Sequence, residues 1–230
     1  MKVSLKTITP NAEVNIVEIA RVSSSRTDKA EKPEGLINYL IKNKHWSPFQ
    51  HSYLTYEIVT SKAIAIQLLR HLSFTFQEFS QRYAKVEKLE DVQFRLQADK
   101  NRQSSTLIIS DLLFNPEEGM YVEIKEESIA LQHTELKDWS ERVAIHLNQG
   151  LDLYDEGIDL GVAKETARMI LPMCTQTTLY MTGSLRSWIH FLQIRLDPHA
   201  QKEVQLIAAD IRDIFIEQCP IISKALKYED

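Results

Sequence analysis

The stretch HSYLTYEIVTSKAIAIQLLRHLSFTFQEFSQRY, residues 51–83, decides the fold class because its hydrophobic period changes midway. Residues 51–61 are β-branched and aromatic, which predicts a strand. Ser61 then offers a helix cap, and KAIAIQLLRHL, residues 62–72, is expected to be helical. Ile64, Leu68 and Leu72 recur every four residues as a core stripe, while Gln67, Arg70 and His71 share a different face. A strand that feeds a helix in so short a stretch points to an α+β chain. Beyond it, Glu78, Ser80 and Arg82 crowd between Phe74, Phe76, Phe79 and Tyr83. A solvated face would carry fewer aromatic rings and a plain core fewer charges, so the stretch is built to hold something.

The pattern extends outward in both directions. KVSLKTI (2–8) alternates and predicts a strand, and AEVNIVEIARVS (12–23) a helix. The polar run SSSRTDKAEKPEG (23–35) is expected to be a loop punctuated by Pro33 and Gly35, followed by a helix at LINYLIKNK (36–44). On the other side, 74–105 reads as irregular except for a short strand at VQFRLQ (92–97). STLIISDLLF (105–114) is ambiguous between strand and helix, and the charged segment from Glu117 leads into a long helix. Ala163–Leu171 reads as a short helix stopped by Pro172. TQTTLYMTG (175–183) follows as a strand, then SLRSWIHFLQIR (184–195) and PHAQKEVQLIAADIRDIFIEQC (198–219) as helices. The expected architecture is a helix-rich α+β fold around a central antiparallel or mixed sheet. It forms a single domain over 1–230, least typical in the charged segment at about 87–138.

Composition narrows the function classes. A formal charge of −5 argues against a nucleic-acid coat, so an anionic ligand must be held by local cations. The two cysteines, Cys174 and Cys219, lack a C-x-x-C spacing and make neither a disulfide framework nor a zinc site, which fits a reducing cytoplasm. No apolar run approaches the length of a signal sequence or a membrane span. With six glycines and no glycine-rich phosphate motif, a backbone phosphate cradle is not expected.

Two clusters could carry chemistry. The first is Gln67, Arg70, His71, Glu78, Ser80 and Arg82. Arginine forks suit phosphate or a pyrimidine edge, and Glu78 could accept from a sugar hydroxyl or ring N–H; the alternative is an internal ion-pair network between Glu78 and the arginines. The second is Arg186, His190 and Arg195. Arg195 falls on the apolar stripe of Trp188 and Phe191, where a cation needs a partner. That partner is either a carboxylate such as Asp197 or Glu203, or a ligand. Arg168, in ETARMILP (165–172), poses the same choice. His51 opens the predicted strand. Cys174 has no histidine nearby in sequence and reads as a small buried residue. The basic stretch RLQADKNRQSS (95–105) reads as a solvated loop, with contact to a ligand as the alternative.

RHLSFTFQEFSQRY (70–83) resembles the signature of flavin-dependent thymidylate synthases, R-H-R, seven residues, then S-x-R-Y. ARVS (20–23), SPFQH (47–51), ARMILP (167–172), TGSLRSWIHFLQIR (182–195) and DPHAQKE (197–203) are similar to further family features in the same order. The resemblance implies synthesis of dTMP from dUMP with methylenetetrahydrofolate as carbon donor, FAD as hydride carrier and NADPH as reductant, in a homotetramer with sites shared between subunits. It implies a dUMP site of Gln67, Arg70, Glu78, Ser80, Gln81, Arg82, Arg168 and Arg195. It implies an FAD site of Tyr53, Arg70, His71, position 72, Glu78, Ser184, Leu185, Arg186 and His190. Arg195, His51 and Ser80 fall on catalytic positions, with Arg195 favouring ionised N3 of dUMP; no metal and no cysteine nucleophile are implied.

The chain departs from the family pattern at several points. Leu72 stands where the third signature arginine is expected, Gln50 where the family has Glu, and Ser184 where it has Asn. Polar exchanges preserve hydrogen bonding, but Leu72 cannot. Loss of one charge-assisted bond weakens flavin binding by about 1.5–3 kcal/mol, which leaves a non-catalytic nucleotide or flavin binder as the alternative function.

Overall fold

The strand expected at 51–61 is present as Tyr53–Ser61, and Ser61 Oγ caps the following helix by accepting from Ile64 N–H at 3.4 Å. That helix is shorter than its pattern: it ends at Leu68, so Arg70, His71 and Leu72 lie beyond it. Leu72 is therefore not on the core stripe but is 95% exposed, and the shared helical face expected for Gln67, Arg70 and His71 does not form. A turn closed by Phe74 N–H to the His71 carbonyl, 3.1 Å, sends the Phe74 ring inward instead. Burying a ring is worth more than one further turn of helix.

The computed structural model describes residues 1–23, 33–101, 104–124 and 134–228. Residues 24–32 of the expected loop, Arg102 and Gln103 of the basic stretch, and 125–133 of the charged segment lie outside the described residues. The strands are β1 (Lys2–Ile8), β2 (Tyr53–Ser61), β3 (Thr75–Glu78), β4 (Val92–Gln97), β5 (Ser105–Asn115), β6 (Met120–Ile124) and β7 (Gln176–Ser184). The helices are α1 (Ala12–Ala20), α2 (Pro33–Lys42), α3 (Lys62–Leu68), α4 (Thr134–Asp159), α5 (Lys164–Ala167), α6 (Leu185–Arg195), α7 (Lys202–Gln218) and α8 (Pro220–Leu226). The chain is thus α+β, as expected.

Four differences have local causes. Pro33 and Gly35 are not loop punctuation but the first turn of α2, where proline's fixed φ and missing N–H cost nothing. β3 lies within the stretch expected to be irregular; it is an edge strand with alternating exposure, too short for its period to stand out. β6 lies in the charged segment, pairing antiparallel with the ambiguous stretch that becomes β5. α8 was not foreseen; Pro220 starts it directly after α7 ends.

By contact the chain forms two compact units, residues 1, 59–68 and 78–178, and residues 2–58, 69–77 and 179–230. In the first, β4, β5 and β6 form an antiparallel sheet against α4. Its core gathers Leu112, Tyr121, Leu147, Leu151 and Tyr154. The second unit holds most of a four-stranded sheet in the order β1-β2-β7-β3, with α1, α2, α6, α7 and α8. Leu54, Tyr56 and Ile58 of β2 alternate inward and are fully buried. Trp188 of α6 packs edge-on to Tyr56 and Phe74 at 4.8 and 4.6 Å and donates its indole N–H to the Leu54 carbonyl at 3.2 Å. This aromatic core fixes the helix that carries Arg186, His190 and Arg195.

Candidate active site

In the second unit, α6 is capped by Ser184, whose hydroxyl accepts from Ser187 N–H at 3.3 Å, the expected geometry of a serine cap. Its last residue, Arg195, is half-buried, and Nε donates to His71 Nε2 at 2.9 Å. Neither carboxylate considered for Arg195 takes it. Asp197 binds His199 at 2.7 Å, and Glu203 accepts from Gln201 at 2.8 Å. Among the described residues Arg195 has no carboxylate partner. Burial and the nearby positive charge of Arg70 lower its pKa. Arg70 is exposed. The sequence placed Arg70, His71 and Arg195 on two separate elements, and the structure brings them together as two guanidiniums beside a neutral imidazole.

His71 accepts rather than donates at this contact, so Nε2 must be unprotonated. Its ring lies edge-on to Phe191 at 5.0 Å and Phe74 at 6.1 Å. Burial, then the charges of Arg195 and His190, hold its pKa at about 4. Since the folded pKa lies below the ordinary 6.5, the unfolded chain binds more protons between those values. Stability is therefore expected to rise with pH from about 4 to about 6.5 and then level off with respect to this group. Histidine-labelled NMR titration is the check: a His71 midpoint near 6.5 would contradict the neutral acceptor.

A cleft of about 350 Å³ opens beside this helix, lined by Trp46, Gln50, Ser73, Arg186, Ser187 and His190, among others. Ser187 Oγ donates to the Ser73 carbonyl at 3.2 Å and ties the signature stretch to α6. Leu185 is fully buried, and its N–H is taken by the Ser52 carbonyl at 2.8 Å. Ser184 is buried with its hydroxyl engaged as the cap. Tyr53 is half-exposed on β2, and His51 is exposed just before it.

In the first unit, Glu78 pairs with Lys62 at 2.7 Å and accepts from Thr177 Oγ1 at 3.0 Å. The internal network considered for Glu78 therefore involves a lysine and not the arginines. Lys62 went unnoticed in the sequence because it lies 16 residues away, on the first turn of α3, and no local spacing links the two. Arg82 meets Glu165 at 3.2 Å on the surface, and Arg168 Nε donates to the Glu165 carbonyl at 3.2 Å. The three-residue spacing of Glu165 and Arg168 could have flagged this contact. Gln67 and Ser80 are half-buried and Gln81 is buried. Cys174 receives the Tyr121 hydroxyl at 3.3 Å, and burial pushes its thiol up, so it is not an activated nucleophile.

Among the described residues Arg186 and Arg195 of this α+β chain meet no carboxylate, and Arg186 lines a cleft, an arrangement that suits an anion. The family model described as thymidylate synthase complementing protein matches residues 4–221, and the chain belongs to that family. Among its relatives, a probable flavin-dependent thymidylate synthase of Paramecium bursaria Chlorella virus 1 is 39% identical over 219 residues, covering 94% of this chain and 91% of that protein. The flavin-dependent thymidylate synthase of Synechocystis sp. is also 39% identical, over 93% of this chain and 88% of its own. That of Thermosipho melanesiensis is 34% identical, over 90% and 82%. Among the described residues no helix is long and apolar enough to cross a membrane.

Proposed function

We propose that this chain is an enzyme that makes dTMP from dUMP, with methylenetetrahydrofolate as carbon donor and FAD and NADPH as the hydride route. The observation that carries the reading is Arg195, a half-buried guanidinium bonded to a neutral imidazole and met by no described carboxylate. Such a cation suits an anion developing on a pyrimidine ring. The methylene carbon needs two electrons to become a methyl group; the nicotinamide supplies them, so folate leaves unoxidised. A flavin held here would, once reduced by the nicotinamide, carry the hydride to the pyrimidine and return to its oxidised state.

Each side chain then has a task. Arg195 favours ionised N3 of dUMP, with His71 holding it in place. Arg70, Ser80, Arg82 and Arg168, with Gln67, Glu78 and Gln81, bind dUMP, and Ser80 and His51 stand at the reacting centre. The residues around the 350 Å³ cleft fit the flavin, since Arg186 and His190 supply donors for its oxygens and, among the described residues, no carboxylate lines the cleft. Arg70, His71, Tyr53 and Glu78, with Ser184 and Leu185 at the start of α6, complete the flavin contacts. The chain works in the cytoplasm as one functional domain with the fold of its family, assembled as a homotetramer with shared sites.

The test is release of label from C5-tritiated dUMP with FAD, NADPH and methylenetetrahydrofolate present. Release with dTMP formed supports the enzyme. Binding of dUMP and flavin without release favours the non-catalytic binder.

Leu72 bears on the same choice. Because it is exposed and lies beyond α3, an arginine there meets neither a packing penalty nor a helix dipole. Leu72→Arg is expected to tighten FAD binding by roughly one to two decades in Kd at unchanged melting temperature. Titration of FAD into the stripped proteins decides; equal affinities would mean that other residues already supply the contact.

A further inference from the structure

Lys44 occupies a backbone conformation that lysine seldom adopts. α2 ends in a Schellman turn, with His45 N–H on the Leu40 carbonyl at 2.8 Å and Lys44 N–H on the Ile41 carbonyl at 3.1 Å. The turn puts Lys44 in the left-handed region at φ 57°, where glycine or asparagine is sterically cheaper. A residue held at such a position against its preference calls for a use of its side chain. Lys44 is exposed and forms no ion pair among the described residues.

Lys44 lines a second cleft of about 460 Å³, with His45, Trp46, Ser47 and Arg186. Trp46 and Arg186 also line the 350 Å³ cleft, so the two concavities share a wall. Among the described residues neither is lined by an aspartate or glutamate, although the chain carries a net charge of −5. Such a surface concentrates anions, and an indole beside the cations offers a ring platform.

We infer that the Lys44–His45–Trp46–Arg186 cleft binds the phosphate-bearing adenosine of a dinucleotide, with its phosphate on Lys44 and Arg186 and its base against Trp46. The inference rests on the proposed function, which brings two such dinucleotides to this chain, FAD and NADPH. The chemistry they share is an adenine ring with a phosphorylated ribose.

The test uses Lys44→Gly and Lys44→Asn in the full chain. Both residues suit the left-handed turn, so the melting temperature is expected to hold or rise while binding falls. Calorimetric titration with adenosine 2′,5′-bisphosphate is expected to show about 10-fold weaker affinity in both variants. Two parallel measurements separate the sources. A raised KM for NADPH with FAD affinity unchanged assigns the cleft to the reductant. Weakened FAD affinity in the stripped protein with KM unchanged assigns it to the flavin. Wild-type affinity for the bisphosphate, for FAD and for NADPH in both variants overturns the inference, as does a wild-type protein that binds no bisphosphate. A wild-type protein that binds the bisphosphate through Lys44 yet forms no dTMP overturns the proposed reaction and leaves the cleft assignment standing.

Discussion

Replacing Arg195 by alanine is expected to lower dTMP formation by about 10²–10³-fold while the chain still folds. The residue closes the last turn of α6, is half-buried, and makes one side-chain bond, to His71. Removing it breaks no ion pair among the described residues, so the structural cost is small. The catalytic cost is large because the guanidinium is held in a partly desolvated place before any charge develops on the substrate. Such preorganisation is worth far more than the same group in water. Arg195→Lys restores the charge but not the planar fork and is expected to recover only part of the rate. The check is turnover with dUMP and flavin saturating, alongside a thermal melt. Near-normal turnover in folded Arg195→Ala protein would remove Arg195 from the mechanism.

Gly183→Ala is expected to be the most destabilising single-methyl change in the second unit. Gly183 lies near the end of β7, and a Cβ there would fall within 2.5 Å of Phe74 Cε1 and 3.3 Å of Cγ. Trp188 and Phe191 pack edge-on to the ring, at 4.6 and 6.1 Å between centroids, and limit how far it can move. Overpacking of this kind costs about 3 kcal/mol, which for a chain of this size lowers the melting temperature by roughly 6–12 °C. Displacing Phe74 also disturbs the turn that presents His71 to Arg195, so activity should fall at temperatures where the variant is still folded. A smaller companion, Phe74→Leu, makes room for the new methyl. The double variant should therefore lose less stability than the sum of the two single changes. Urea unfolding of the four proteins measures this, and simple additivity would show that the clash is not where the energy goes.

Much of this protein was legible from one dimension. The period-two burial of β2 and β7 and the apolar spacing of α1, α6 and α7 follow from residues close in sequence, so the α+β class and most element positions were readable. The motif order from ARVS to DPHAQKE pointed to the family, because five further motifs in order constrain far more than the signature alone. Tertiary structure decided the rest. The pattern from Ile64 to Leu72 carries α3 four residues too far, since nothing local records that Phe74 is needed in a core built from α6. The same turn moves Leu72 from an expected core position into solvent. Glu78 chose Lys62 and Thr177, and Arg195 chose His71, over partners nearer in sequence; these pairings depend on which surfaces the fold brings together, at separations of 16, 99 and 124 residues. Sequence periodicity reports which face of an element is buried, and only the packed chain determines what that face meets.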